Sequence, residues 1–143
     1  MIIREIDIRL PSRLDQLEPL FEALDFFVST NAIPPTPAYR LQLAVDEFVA
    51  NAVEHGYEDG RQGEIGVRVR LDGDVLELTF SDDGAPFDPF HAPPPDLTGS
   101  IEERRVGGLG VHLVRTLAAS VAYRYEHGRN VVVIRLHLAE PTG

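Results

Sequence analysis

Ile6, Ile8 and Leu10 alternate with Asp7 and Arg9, and this period of two predicts a half-buried strand over Ile2–Leu10. Ser12 then offers a cap, and apolar residues at helical spacing run to about Thr30, with Pro19 able to delay the true start of the helix. Asn31 to Pro35 breaks the pattern. Thr36 reads as an N-cap with Pro37 at the first helical position, and Gly56 as a stop, so a second helix is expected over Pro37–His55. Ile65, Val67, Val69 and Leu71 alternate with Arg68 and Arg70, Asp72–Gly73 supplies a hairpin turn, and Leu76, Leu78 and Phe80 continue the next strand. Asp82 shares the parity of those three and is expected on the core face. Val111, Val114 and Ala118 predict a third helix, and Val121–His127 with Val131–Leu138 a closing hairpin around Gly128–Arg129. The pattern as a whole predicts an α+β domain, a two-layer α/β sandwich with helices on one face of a mostly antiparallel sheet.

The second helix also carries candidate chemistry. Glu47, Asn51 and His55 stand four residues apart and share a face bordering the apolar stripe Leu41, Val45, Phe48 and Ala52, so they look sideways into the interior. A carboxylate there can accept a proton from an attacking hydroxyl, and an amide oxygen one turn later is a good hard ligand for Mg²⁺. Alone, the same strip reads equally as a solvated face. His55 either complements the dipole at the helix C-terminus or touches a ligand.

Two further stretches sharpen the picture. Ser81-Asp82-Asp83-Gly84-Ala85-Pro86-Phe87-Asp88-Pro89 ends a strand, and Gly107-Gly108-Leu109-Gly110 leads into the helix of Val111. Asp82 could be a plain turn residue, and glycine pairs often mark loop ends. Ahead of a helix, however, such a run leaves free N–H groups and a dipole that favour phosphate, and Gly84 lets a backbone approach closely. Between the two lies a long connection, residues 87–106, whose length suits a lid or a solvated loop. Its Arg104 or Arg105 could reach phosphates, and Arg105 is carried as the candidate. The remaining four histidines have no metal-ligand spacing.

Composition narrows the class. At 143 residues and 43% hydrophobic, one domain over 1–143 with a real core is expected. Without cysteine, disulfides and thiolate metal sites are excluded. A formal charge of −10 with 13 scattered Lys and Arg argues against a nucleic-acid binder and leaves open an acidic face for a basic protein partner. No run approaches the ~20 apolar residues of a membrane span, so no membrane association is expected and a cytoplasmic location is.

With the Glu47 helix, the Asp82 motif and the Gly107–Gly110 run in this order, the chain resembles the Bergerat (GHKL, histidine-kinase-like) ATPases, and most of all their anti-sigma-factor serine/threonine protein kinases. The resemblance implies the Bergerat fold with an ATP lid at 87–106, and ATP and Mg²⁺ as cofactors. It implies that Glu47 is the base, Asn51 the Mg²⁺ ligand and Asp82 the acceptor for the exocyclic amine of adenine. His55, Gly84, Arg105, Gly107, Gly108, Leu109 and Gly110 join Asn51 and Asp82 as nucleotide-binding candidates. The implied activity is phosphorylation of a STAS-domain anti-anti-sigma protein on Ser or Thr, with sequestration of a sigma factor, by a homodimer. Histidine kinases share the fold but need a phosphoacceptor helix, for which 143 residues leave no room. Two alternatives stand beside this reading. One is a non-catalytic module that uses nucleotide to set its affinity for a partner, and the other is a switch kinase of the same fold that acts on a STAS protein and a phosphatase.

Overall fold

The computed structural model describes residues 4–55, 62–91 and 109–139. Strand β1 (Arg4–Pro11) is followed by a 3₁₀ turn (Leu14–Gln16) and helices α1 (Glu18–Thr30) and α2 (Pro35–His55). Strands β2 (Glu64–Asp72) and β3 (Val75–Asp82), helix α3 (Leu109–Leu117) and strands β4 (Ser120–Glu126) and β5 (Arg129–His137) complete the order. The five strands form one antiparallel sheet in the order β1-β2-β3-β5-β4, so the fold is α+β, as expected. β5 inserts between β3 and the edge strand β4.

Alternation decides which face is covered. Ile65, Val67, Val69, Leu76, Leu78, Phe80, Val132, Ile134 and Leu136 are buried with Leu20, Leu24 and Phe27 of α1 and Leu41, Val45 and Phe48 of α2 in one core. The opposite parity carries Glu5, Arg68, Glu77 and Arg135, which pair across strands as Arg68–Glu5 at 2.6 Å and Arg135–Glu77 at 3.0 Å. These pairs are solvated and contribute little stability each; burial on the helix side carries the fold.

The helix starts differ from the expectation. Ser12 is buried rather than capping: its N–H donates to the Gly63 carbonyl at 2.8 Å and its hydroxyl has no partner among the described residues. Helix α1 begins at Glu18 with Pro19 in its first turn, where a missing N–H costs nothing. Helix α2 begins at Pro35, not at Pro37, and Thr36 lies inside it rather than capping it. The Ala38 N–H already donates to the Pro34 carbonyl at 3.0 Å, and both prolines fit because first-turn N–H groups have no intrahelical acceptor. Between the helices, Ile33 N–H donates to Val28 O (3.0 Å) and Ala32 N–H to Ser29 O (3.2 Å), a Schellman closure with Ala32 at φ 51° where glycine is usual.

The closing hairpin also shifts by one residue. Glu126 pairs with Arg129, so the turn residues are His127 (φ 55°) and Gly128 (φ 76°), the double positive φ of a two-residue hairpin turn. Arg129 and Asn130 therefore belong to β5, and Asn130 falls directly opposite Asp82.

Candidate functional site

Phe80 and Asp82 leave β3 on the core face, two residues apart, and α2 crosses above them with Phe48, Asn51 and Ala52. A recess lies between these elements. Its walls are apolar where Phe48, Ala52, Phe80 and Val132 meet, and polar where Asn51, Asp82 and Asn130 converge; Ala85, Phe87 and Pro89 close one side. Phe48 stacks against Phe80 at 5.8 Å between ring centroids and meets Phe90 edge-on at 6.0 Å, so the chain leaving β3 is packed onto α2 before it departs. The Arg115 guanidinium of α3 reinforces this by donating to the Phe90 carbonyl at 3.1 Å.

Asp82 is 8% exposed, and burying a carboxylate is tolerated only with partners. Its Oδ1 accepts the Gly84 N–H and the Asn130 side-chain amide, each at 2.9 Å. Its Oδ2 has no partner among the described residues, so one lone-pair oxygen of a fixed carboxylate remains for whatever fills the recess. Gly84 contributes through its backbone, by that N–H and by a carbonyl 3.5 Å from Asn130 Nδ2.

Asn51 lines the recess from α2, with no hydrogen bond from its amide to the described residues. Glu47, one turn earlier, is partly buried and carries no hydrogen bond from the described residues either. Its pKa is raised, chiefly because burial penalises the ionised form and secondarily because the Asp46 carboxylate adjoins it. Against it rests the first turn of α3: a Cβ on Gly110 would overlap the Glu47 side chain at its Cγ, Cδ and Oε1. The sequence attributes the glycine at 110 to close approach of phosphate; the structure adds a reason within the protein, because Glu47 occupies the space a side chain would need.

His55 closes α2 and Leu109 opens α3, while their side chains lie outside what is described. Arg105, Gly107 and Gly108, with Arg104 and the lid beyond residue 91, lie outside the described residues. Among the described residues, then, Asn51 and Asp82 line one recess, Gly84 supports Asp82, and Glu47 packs with Gly110 beside the same helix.

Asn130 and Tyr123 are absent from the sequence-based expectation. Asn130, 4% exposed, holds Asp82, and the Tyr123 hydroxyl of β4 donates to Asn130 Oδ1. A signal for Asn130 was present: it has the parity of Val132, Ile134 and Leu136, and a polar side chain on a core parity needs a partner. Placing the turn one residue late hid it.

Comparison with known proteins agrees with this arrangement. The family model described as histidine kinase-like ATPase domain matches residues 10–136. The chain is 35% identical over 99 residues to serine-protein kinase RsbW of Listeria monocytogenes, covering 66% of this chain and 63% of that one. It is 32% identical over 100 residues to serine-protein kinase RsbW of Bacillus subtilis, covering 66% and 62%. To serine/threonine-protein kinase BtrW of Bordetella bronchiseptica it is 30% identical over 101 residues, covering 71% of each. The match to the two RsbW proteins thus spans somewhat less than two thirds of their length.

Proposed function

The chain belongs to the histidine kinase-like ATPase family, and from that premise we propose that it is an ATP-dependent protein serine/threonine kinase whose acceptor is a STAS-type anti-anti-sigma protein and which also holds a sigma factor. The observation that carries the nucleotide half is Asp82, a buried carboxylate lining the recess, with one oxygen fixed by Gly84 and Asn130 and the other without a partner among the described residues. Such a floor suits a flat heteroaromatic base bearing an amine. Phe48, Phe80 and Val132 cover its faces, and Asp82 Oδ2 accepts the exocyclic N–H. The names of the relatives, serine-protein kinases of two organisms and a serine/threonine-protein kinase of a third, support protein as the acceptor.

Phosphoryl transfer asks mainly for positioning and charge neutralisation, with one carboxylate near the nucleophile. Glu47 fits that part. The acceptor hydroxyl gives its proton to a Glu47 carboxylate oxygen as its own oxygen bonds to the γ-phosphorus, and ADP leaves with the electrons of the broken bond. Burial keeps Glu47 more basic than an ordinary glutamate, which improves it as a base near neutral pH. No cluster of three or more His, Cys, Asp or Glu suited to a metal exists among the described residues. The Asn51 amide lining the recess is a hard oxygen donor that would hold Mg²⁺ together with the triphosphate, and the ion would there neutralise phosphate charge. The first turn of α3 packs on Glu47 at Gly110, which supports a reading in which a phosphate-binding helix start and the base are neighbours.

The deciding experiment incubates the protein with labelled ATP and a STAS-domain protein. Label on a serine or threonine of the acceptor is expected and must fall by about 10²–10⁴ in Glu47→Gln. Bound nucleotide without transfer would replace this reading by that of a nucleotide-responsive binding module. Capture of a sigma subunit separates an anti-sigma kinase from a switch kinase, whose partner is a phosphatase.

A further inference from the structure

All four hydrogen-bonding valences of Asn130 are in use. Its Nδ2 donates to Asp82 Oδ1 and to the Ala85 carbonyl, each at 2.9 Å, and its Oδ1 accepts the Phe87 N–H at 2.9 Å and the Tyr123 hydroxyl. Only one amide orientation is possible. Flipped, the NH₂ would face the Phe87 N–H and the oxygen would face the Ala85 carbonyl and Asp82, turning attractive contacts into repulsive ones. Asn130 therefore ties together three elements: β3 through Asp82, the 85–87 segment through its backbone, and edge strand β4 through Tyr123. Tyr123 keeps its proton at neutral pH, since burial raises its pKa, opposed by the Phe87 N–H and assisted by Asp88 and Asp82, so it remains the donor that fixes Asn130.

We propose that Asn130 is the positioning residue of the base-recognition site: it fixes which Asp82 oxygen is consumed inside the protein, leaving Oδ2 aimed at the nucleobase, and Tyr123 fixes Asn130 in turn. The inference rests on reading Asp82 as the acceptor for the base. It goes beyond that reading in assigning selectivity to a residue that need not touch the ligand. An asparagine here is a donor toward Asp82 and a double acceptor behind, whereas an aspartate would put two carboxylates within hydrogen-bond distance. Such a pair holds one proton between them and titrates as a unit. Among the described residues, the ionisable groups facing the position are Asp82 from β3, Tyr123 and the directly opposite Tyr125 from β4, and Asp88 from the following segment, while α2 contributes the uncharged Phe48, Asn51 and Ala52.

The test titrates ATP into wild type and Asn130→Asp between about pH 6 and about pH 8.5, reporting the ratio of the two affinities so that ionisation of the nucleotide cancels. The shared proton substitutes for the amide N–H at the acid end and leaves at the alkaline end, so the wild-type advantage is expected to grow by roughly tenfold across the range, one pK unit's worth. A ratio independent of pH overturns the proposal, because a residue that only fills space would give one constant loss. If circular dichroism shows Asn130→Asp unfolded, Tyr123→Phe takes its place. Releasing Asn130 from behind should weaken ATP roughly threefold and leave inorganic triphosphate unaffected, and wild-type ATP affinity there overturns the proposal. Asp82→Asn in parallel separates the two failures. Unchanged ATP affinity in that variant removes the nucleotide reading itself, whereas weakened ATP there with wild-type behaviour at Asn130 and Tyr123 removes only the positioning role.

Discussion

Glu47 faces two demands, since the same burial that makes its carboxylate a better base also makes its charge unfavourable. Its pKa is raised in the folded chain. A raised folded pKa means that the folded state binds the proton more tightly than the unfolded one, so the group's stabilising contribution is complete below the unfolded value and is lost as pH rises through the folded value. At neutral pH the ionised Glu47 therefore opposes folding, and Glu47→Gln is expected to melt no lower than wild type by differential scanning calorimetry. The same variant should retain ATP while phosphoryl transfer falls by about 10²–10⁴. Wild-type transfer should show an acid limb above the ordinary glutamate value of 4.5. Asp46→Asn should move that limb down only partly, because burial is the larger cause and Asp46 the smaller. At Asp82, substitution by asparagine puts either a second donor against the adenine amine or an unpaired group against Asn130. A loss on the order of 1–3 kcal/mol, about five- to 150-fold in Kd, is expected by calorimetric titration. Unchanged affinity would reduce Asp82 to a turn residue.

Helix α3 meets α2 at Gly110, and the meeting is tight enough to test. A methyl group there collides with Glu47 before it reaches any ligand, so Gly110→Ala should lower transfer more than ATP affinity. Its effect on transfer should largely disappear when added to Glu47→Gln, the non-additivity expected of residues in contact. Equal losses in kcat and ATP affinity, additive with Glu47→Gln, would mean that the phosphates and not the base require the glycine. At the end of α1, Ala32 adopts φ 51° although its side chain disfavours it. Ala32→Gly should therefore stabilise the fold by up to about 1 kcal/mol in urea titration. These elements also mark what a sequence discloses. The period-two runs around Ile65–Leu71 and Leu76–Phe80 and the stripe Leu41, Val45, Phe48 and Ala52 were legible because one face is water and the other core. Helix starts were not, because Pro34–Pro35–Thr36–Pro37 offers several acceptable first turns, and three-dimensional packing chooses among them. Asp82 was legible from its parity. Asn130 was legible in its parity alone; its role appears only once β5 is placed beside β3, 48 residues away, and a one-residue slip in a hairpin sends a side chain to the opposite face.

The whole molecule carries a formal charge of −10, while its cross-strand ion pairs lie on the solvated side of the sheet. Self-repulsion is the long-range term and exposed pairs are the weak one. Added salt screens both, so the melting temperature should rise with ionic strength. A fall would show that the Arg68–Glu5 and Arg135–Glu77 ladders carry more than solvated pairs usually do. Strand order bears on the chain's history in the cell as well. β5 lies between β3 and β4 yet is made after both, so a ribosome-bound chain that has not yet released residues 129–137 leaves the β3 edge bare. It also has no Asn130 to brace Asp82. Such a nascent chain has Glu47 long before it has a braced Asp82, and its open β3 edge is the surface that chaperones or misassembly would find first. Competence to bind ATP therefore arrives late in synthesis and all at once, when the final hairpin slots into place.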